Sequence, residues 1–530
     1  MTTMQSRRHF APGRARRWAA LAVLMFPVLL VAVDNTVLSF AVPALSRALD
    51  PTSTQLLWII DVYPLVLAGL LVPMGSLGDR IGRRRVLLIG AVGFAAVSAV
   101  AAFMPDALLL IAARALMAVF GAMLMPATLS LIRNIFADPT ERRTAIAVWA
   151  AAFSGGAALG PIVGGWLLEH FWWGSVFLLS VPMLLPLVAL GPFLVPESRD
   201  PQPGRMDPLG ILLAVGTLLP ITFGIKAAVG HGPLMTAIAA VALGVACGFA
   251  FARRQLRSRS PMLDVRLFRN PVFSAALGVN LLSVFALVGF IYFLSQHLQL
   301  IAGLSPMEAG FFMVPGLVLT VAFGFVAVPL VRRIGPAAVV TTGLAFSTAA
   351  YSVVLAFGRS GSLTALLVAF CVLGIGVGLA ETISNDLALS AVPPARAGAA
   401  AAISETAYEV GSVLGTAVLG SILNAAYTAT VSVPDQLDPA RSAQARETLG
   451  GAVEVATSMP DRAAAEGLLE SAATAFDSGV TATAAIAALL MAAAGVLVRL
   501  ALKAGGPAIP GVSGTPQPVP AEGERQAKTG

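Results

Sequence analysis

Charge is what this chain has least of: Asp, Glu, Lys and Arg together make up 12% of its 530 residues, about half the usage of an ordinary soluble domain. That excludes a soluble enzyme and a charge-rich disordered chain. Cysteine is almost missing too. Cys247 and Cys371 both fall inside apolar runs, so they offer neither a disulfide framework nor the ligand spacing of a structural zinc site. The four histidines, His9, His170, His231 and His297, are scattered, with no His-Glu-x-x-His helix and no Gly-x-Ser-x-Gly elbow, which speaks against a membrane enzyme. None of the lysines, Lys226, Lys503 and Lys528, follows a glycine, so the chain has no phosphate-binding loop and ATP is not its fuel unless a partner subunit brings it. Neither a metal nor an organic cofactor is expected.

What is abundant is apolar surface. The chain is 57% hydrophobic with a mean hydropathy of +0.85. Apolar stretches near 18–40, 56–77, 86–104, 108–133, 144–168, 173–194, 208–229, 233–252, 272–296, 307–330, 337–357, 363–390, 397–427 and 478–500 are each long enough to cross about 30 Å of hydrocarbon as a helix. The fold class is therefore an all-α polytopic membrane protein with fourteen spans. Ser6-Arg7-Arg8-His9-Phe10 has the look of a twin-arginine export signal, but the apolar run after it is too long for a cleavable one and carries Asp34, so it reads as the first span.

A net charge of +7 does not point to nucleic acid, because the cations come in short bursts between spans. With the N-terminus inside, 27 of the 34 Lys and Arg fall on the cytoplasmic side and 6 outside, leaving Arg114 within a span. The positive-inside rule then places both termini in the cytoplasm. Trp172 and Trp173, at a span boundary, fit interface anchors. The outside segment 428–477 is polar, and Asp438-Pro439 and Pro460-Asp461 precede Ala-rich stretches, the pattern of helix starts in a short helical hairpin or of a plain polar loop. The Pro- and Gly-rich tail is expected to be disordered.

Arg80-Ile81-Gly82 after the second span recurs as Arg333-Ile334-Gly335 after the tenth, and Gly156 and Gly160 in the fifth shift to Gly411 and Gly415 in the thirteenth by a similar interval. Such a repeat implies two like halves with a substrate path between them. The expected organisation is a basic N-terminus (1–17), a six-helix bundle (18–194), a linker with two inserted spans (195–270), a second six-helix bundle (271–500) including the outer loop, and a tail (501–530).

Three motifs carry a family resemblance. The loop Gly75-Ser76-Leu77-Gly78-Asp79-Arg80-Ile81-Gly82-Arg83-Arg84-Arg85 closely resembles the signature loop of the major facilitator superfamily. Its glycines allow a tight turn, and Asp79 is placed to accept hydrogen bonds from arginines. The fifth span, Gly156-x-x-x-Gly160-Pro161-x-x-Gly164-Gly165, resembles the motif that antiporting members carry, with glycines clearing one face for a neighbouring backbone and Pro161 permitting a bend. With Ala32-Val33-Asp34-Asn35-Thr36-Val37 in the first span, the whole looks like the fourteen-span drug:proton antiporters of the QacA, SmvA and LfrA type. Met117 and Ala118 depart from the Gln-Gly that the family usually places after the arginine of span four. The resemblance implies proton-driven export of lipophilic cations such as dyes and quaternary ammonium antiseptics by a monomer in the lipid bilayer. Export of an endogenous metabolite or antibiotic, with drugs as incidental cargo, stays open.

An ionisable side chain at mid-span costs about 2.5–3.5 kcal/mol, so each must pair, face water or work. Counting about 1.5 Å per residue, Asp34 in span one and Asp61 and Arg114 in spans two and four reach the outer third of the first half, where Asp34 and Arg114 are able to pair. Asp61 has an interfacial, snorkelling alternative. Glu405 and Glu409 sit one turn apart on one face, about 14 and 20 Å from the inner end. Two such carboxylates in low dielectric resist being ionised together, so the pair is expected to hold a proton. Glu381, and Asp386 nearer the cytoplasm, extend a proton route, although Asp386 also suits an end cap. Trp58, Trp149, Phe153, Phe290, Tyr292 and Tyr408 are candidates for an aromatic cavity, or for ordinary packing.

Overall fold

In lipid a backbone has no water to bond, so each crossing segment must satisfy its own N–H and C=O groups as a helix. The computed structural model describes residues 13–136, 138–199, 207–229, 234–258, 261, 265–357, 362–392, 397–434 and 437–504. Its α-helices are α1 (Arg14–Leu49), α2 (Ser53–Ile81), α3 (Arg83–Ala101), α4 (Ala107–Gly121), α5 (Leu124–Ile135), α6 (Pro139–His170), α7 (Ser175–Leu178), α8 (Ser180–Leu194), α9 (Pro208–Val229), α10 (Leu234–Arg257), α11 (Pro271–Gln296), α12 (Pro306–Ile334), α13 (Pro336–Phe357), α14 (Leu363–Ser390), α15 (Ala397–Leu414), α16 (Ser421–Thr430), α17 (Pro439–Glu447), α18 (Leu449–Ser458) and α19 (Arg462–Ala504). Among the described residues, 13 helical segments are long and apolar enough to cross a membrane. Helix α6 occupies the position of the fifth expected span. The twin-arginine look-alike and the tail beyond Ala504 lie outside the described residues.

Helices α1 to α8 pack on one another, and α11 to α16 with α19 do the same. Helix α6 against α12 and α2 against α15 join the two halves. The long fourth span breaks between α4 and α5, and the thirteenth contains a π-helical turn, Gly415–Gly420, between α15 and α16. A second π turn, His297–Ile301, ends α11. Helices α9 and α10 form a hairpin with each other, and α9 also touches α2, the Gly415–Gly420 turn and α16.

The repeat is visible atom by atom. A Cβ added to Gly156 would meet the Leu29 carbonyl of α1, and one added to Gly411 would meet the Leu281 carbonyl of α11; Gly160 meets the Val33 carbonyl as Gly415 meets that of Phe285. Close backbone approach thus recurs at the same register in each half, which is why small residues occupy these rows. Gly82 (φ 115°) and Gly335 (φ 80°) end α2 and α12, a conformation that L side chains rarely adopt, and they are the last residues of the two Arg-Ile-Gly copies.

The face bearing Arg80, Arg83, Arg133, Arg253 and Arg332 is termed inner, its opposite outer. On the outer side the segment 428–477 is folded. Asp438 caps α17 by accepting from the Ala440 and Arg441 amides, with Pro439 following. The second short helix, however, starts at Thr448, which caps Gly451. Asp461 instead starts α19, accepting from Ala463 and Ala464, and with no proline in Arg462–Ala504 the last span runs on as a single helix of 43 residues. Asp438→Ala is expected to cost about 1 kcal/mol locally, read as faster hydrogen exchange at Ala440 and Arg441 with α18 unchanged.

Candidate functional site: an acidic cluster between the halves

Asp34 lies on α1 next to the glycine row of α6, and α4 brings Arg114 to it. The guanidinium sits 3.2 Å from the Asp34 carboxylate and donates through Nε to the Ile59 carbonyl at 3.0 Å. Both side chains are buried, at 7% and 2% exposure, and the Tyr63 and Phe177 rings flank the guanidinium, 4.8 and 5.9 Å from their centroids. The arginine site is thus made of one acid, one carbonyl and two rings, and Met117 and Ala118, further along α4, are buried. Lysine cannot reproduce that fork. Arg114→Met leaves Asp34 unpaired and is expected to destabilise the detergent-solubilised protein by about 3–5 kcal/mol; Asp34→Asn in the same chain should recover most of that, as read by thermal or denaturant unfolding.

From the other half, Glu409 on α15 is 1% exposed and lies within range of the charges of both Asp34 and Glu405. Glu405 is half-buried and acts electrostatically on Glu381 of α14. Asp34, Glu409, Glu405 and Glu381 therefore follow one another from the first half to the second, each within electrostatic range of the next. Alongside runs a ladder of rings: Trp149 stacks on Phe153 at 6.2 Å, and Phe153 meets Tyr408 edge-on at 6.0 Å, joining α6 to α15. Trp149 Nε1 donates to the Thr128 hydroxyl at 3.2 Å.

Other candidates stand apart. Asp386 is exposed on α14. Phe290 is fully buried against Phe293, Tyr351 and Phe370 in the core of the second half, and Tyr292 is buried at 1% beside Gly420, so packing accounts for both. Asp61 is not interfacial, and its partner is not Arg114. It is fully buried and paired at 2.9 Å with Lys226 of α9, whose ammonium lies 4.3 Å from the Trp58 ring centroid. The count of six outside cations includes Lys226, because hydropathy puts the end of that span beside it. A lone cation in an apolar run facing an acid with no obvious partner was the available signal.

The signature loop forms a dense polar clasp. Arg83 pairs with Asp79 at 2.7 Å, and its other nitrogen donates to Ser198. Arg84 donates its amide to Glu197 and its guanidinium to the carbonyls of Pro192 and Val195. A Cβ at Gly82 would strike the Glu197 carboxylate. Gly75 and Gly78 keep the loop close to Pro126 and Arg83, while Arg80 lies in the last turn of α2. Of the span-five motif, Gly156, Gly160 and Gly164 face α1 at Ala32, Thr36 and Val37, whereas Gly165 faces Pro306 and Met307 of α12, and Pro161 meets Gly310. The helix is continuous through Pro161. Two like halves joined at glycine rows, with a clasped Gly-x-x-x-Asp-Arg loop and acids between them, decide the assignment.

The chain belongs to the major facilitator superfamily. The superfamily's sequence profile matches residues 24–416. The multidrug efflux pump LfrA of Mycolicibacterium smegmatis is 54% identical over 488 residues, covering 92% of this chain and 97% of that protein. The methyl viologen resistance protein SmvA of Salmonella typhimurium is 38% identical over 493 residues, covering 92% and 99%. Among solved folds, a bacterial homologue of the human lysosomal transporter Spinster, inward-facing and unoccupied, superposes with a TM-score of 0.65 at 18% identity, covering 94% of this chain and 99% of that one. As in other major facilitator proteins, the machinery is that of a transporter and not of an enzyme.

Sequence reasoning missed three further polar features of this facilitator. Asn280 donates to Asn385 at 3.1 Å and to the Ser404 hydroxyl at 3.0 Å, and Ser404 donates to Asn385 at 2.6 Å, tying α11, α14 and α15 together one residue from Glu405. Glu197 and Ser198 clamp the signature loop. The inserted hairpin is fastened at its inner end by Asp207 and Arg254 at 2.8 Å.

Proposed function

We propose that this chain is a proton-coupled multidrug antiporter of the bacterial cell membrane that exports lipophilic cations by alternating access, with both termini in the cytoplasm and a monomer as the working unit. The observation that carries the reading is the run of carboxylates from Asp34 through Glu409 and Glu405 to Glu381, shared between the halves and bordered by Trp149, Phe153 and Tyr408. The names of LfrA and SmvA support drug efflux as the task.

Paired and clustered acids at mid-membrane are tolerable when each is neutralised by a proton, a fixed partner or a bound cation. Protons taken up with the outer side open neutralise the cluster and let the halves rock. Released inward, they leave negative charge, and the ring ladder gives a flat apolar cation a cation–π surface beside it. The outer ends are held together here: Gln299 donates to the Phe40 carbonyl, Ser305 to Glu169, and the Ser53 amide to Glu447. That closed outer side suits the stage at which cargo is taken from within. Voltage contributes about 2.3 kcal/mol per charge at 100 mV, so one proton for one monovalent cation is electroneutral and draws on the pH gradient alone; a second proton adds the voltage.

The test is ethidium uptake into inverted vesicles with an imposed pH gradient, comparing the intact chain with Asp34→Asn, Glu405→Gln and Glu409→Gln. Uptake should collapse with an uncoupler and in the Asp34 and Glu409 variants. Uptake that survives the uncoupler and tracks added ATP would refute proton coupling.

A further inference from the structure

Asp61 and Lys226 play no part in the cluster described above, yet they are among the best buried ions of the protein. Asp61 lies eight residues into α2, about 12 Å below the outer end. Lys226 lies three residues before the end of α9, about 4.5 Å below. Side chains on a helix lean toward its N-terminus, so the lysine stem points inward along α9 and brings its ammonium down to the level of Asp61. There it meets the carboxylate at 2.9 Å and the Trp58 ring at 4.3 Å. An acid and an indole face around a cation is the arrangement that recognises an organic ammonium. Trp58 also borders a cavity of about 380 Å³ with Leu219, Pro220, Phe223, Ala240 and Leu243. Its lining is wholly apolar, and Phe223 and Leu243 are exposed on the periphery, where the hairpin α9–α10 faces lipid.

The contacts of α9 give this pair leverage. Helix α9 belongs to neither six-helix half, yet it touches α2 of one and the Gly415–Gly420 π turn of the other. Since π turns interrupt regular helix bonding and collect at functional sites, the ion pair is placed beside the one irregular stretch of the helix that carries Glu405 and Glu409.

We propose that Asp61 and Trp58 form a second seat for a lipophilic monovalent cation, that Lys226 is a tethered cation holding this seat in the present conformation, and that cargo arriving from the membrane through the α9–α10 cavity occupies it by displacing Lys226. The displaced ammonium has somewhere to go. Swung toward the C-terminal end of α9 it reaches the outer interface, as long lysine stems near span ends commonly do. Because the seat exchanges one cation for another, its local charge is conserved, whereas a neutral molecule entering the cavity would leave the Asp61–Lys226 pair intact. The inference rests on the cation-export reading.

Two measurements on the full-length protein in lipid nanodiscs test it. The first is ethidium binding by fluorescence titration. Lys226→Met should bind about fivefold more tightly than the unaltered chain, Lys226→Arg should bind like it, and adding Asp61→Asn to Lys226→Met should remove the gain. Nile red, a neutral dye of similar size, should show no gain. Equal binding in Lys226→Met, a gain that persists with Asp61→Asn, or a matching gain for Nile red would each overturn the seat. The second needs no change at Lys226. With Lys503 and Lys528 replaced by arginine, labelling of Lys226 by an amine-reactive ester, measured by mass spectrometry, should rise severalfold on adding tetraphenylphosphonium; unchanged labelling overturns the displacement. If the unaltered chain bound neither cation, the export reading itself would fail, whereas binding and transport that are indifferent to Lys226 would remove this inference alone.

Discussion

Glu409→Gln is expected to abolish uphill export while leaving a folded protein. Its carboxyl group is buried, one of its oxygens has no hydrogen-bond partner among the described residues, and it lies within range of Asp34 across the interface and of Glu405 on its own helix. Glutamine keeps the shape and removes the titration, so the packing cost is small. What is lost is the ability to be neutral on one side of the cycle and charged on the other. One proton exchanged for one monovalent cation draws on the pH gradient alone, and a tenfold proton gradient, about 1.4 kcal/mol, sustains about a tenfold gradient of ethidium, so ethidium accumulation should fall from that scale to equilibration. Glu405→Gln is expected to reduce accumulation less, since Glu405 is only half-buried and therefore better solvated. Asp386→Asn, exposed and apart from the cluster, should change it less than about twofold. If Glu409→Gln pumped normally, the carboxylate chain would be scaffolding and the coupling would have to lie elsewhere.

Much of this was legible because charges in apolar runs are rare enough to be paired by elimination. Asp34 and Arg114 illustrate it: depth alone put them together, and the structure joins them. The glycine rows were legible for a different reason, since small residues at a four-residue spacing have few other uses in a span. Lys226 was not legible as a buried ion because hydropathy locates span ends only to within a few residues, and a lysine near an end reads as interfacial. Asn280, Asn385 and Ser404 escaped because single uncharged polar residues in spans carry no spacing rule; only the folded chain brings three helices' worth of them to one point. The π turn has no sequence marker beyond Gly415 and Gly420. Depth puts Asp61 level with Arg114 but does not name its partner, since depth is read from one helix at a time, whereas azimuth, which sends Asp61 toward α9, depends on how α2 packs. In the outer loop Asp461 has the right chemistry for a helix start, but the helix it starts is the last span itself.

Gly165→Leu is expected to hold the outer ends of the two halves apart. Unlike Gly156, Gly160 and Gly164, which pack α6 onto α1 within the first half, Gly165 faces the other half: a Cβ there would lie 2.5 Å from the Pro306 carbonyl oxygen and 2.7 Å from the Met307 Cα. Both are backbone atoms, which cannot rotate away. One turn deeper, a Cβ on Gly310 would run into the Pro161 carbonyl, so the contact is backbone to backbone from either side. Because the clash exists only when the outer side is closed, the substitution acts on one conformation and not on the stability of either half. The reporter is Gln299→Cys with Cys247 and Cys371 replaced by serine, since Gln299 bonds to Phe40 across the same seam. A minor conformer typically holds 0.1–10% of the population, so making the outward-open state dominant should raise labelling by an impermeant maleimide about tenfold or more. Transport should stop while external ethidium binding persists. Gly160→Leu, by contrast, drives into Thr36 and α1 within one half and should reduce the yield of folded protein. Parental labelling and transport in Gly165→Leu would mean that α6 and α12 slide to make room, and that closure of the outer side does not depend on this glycine seam.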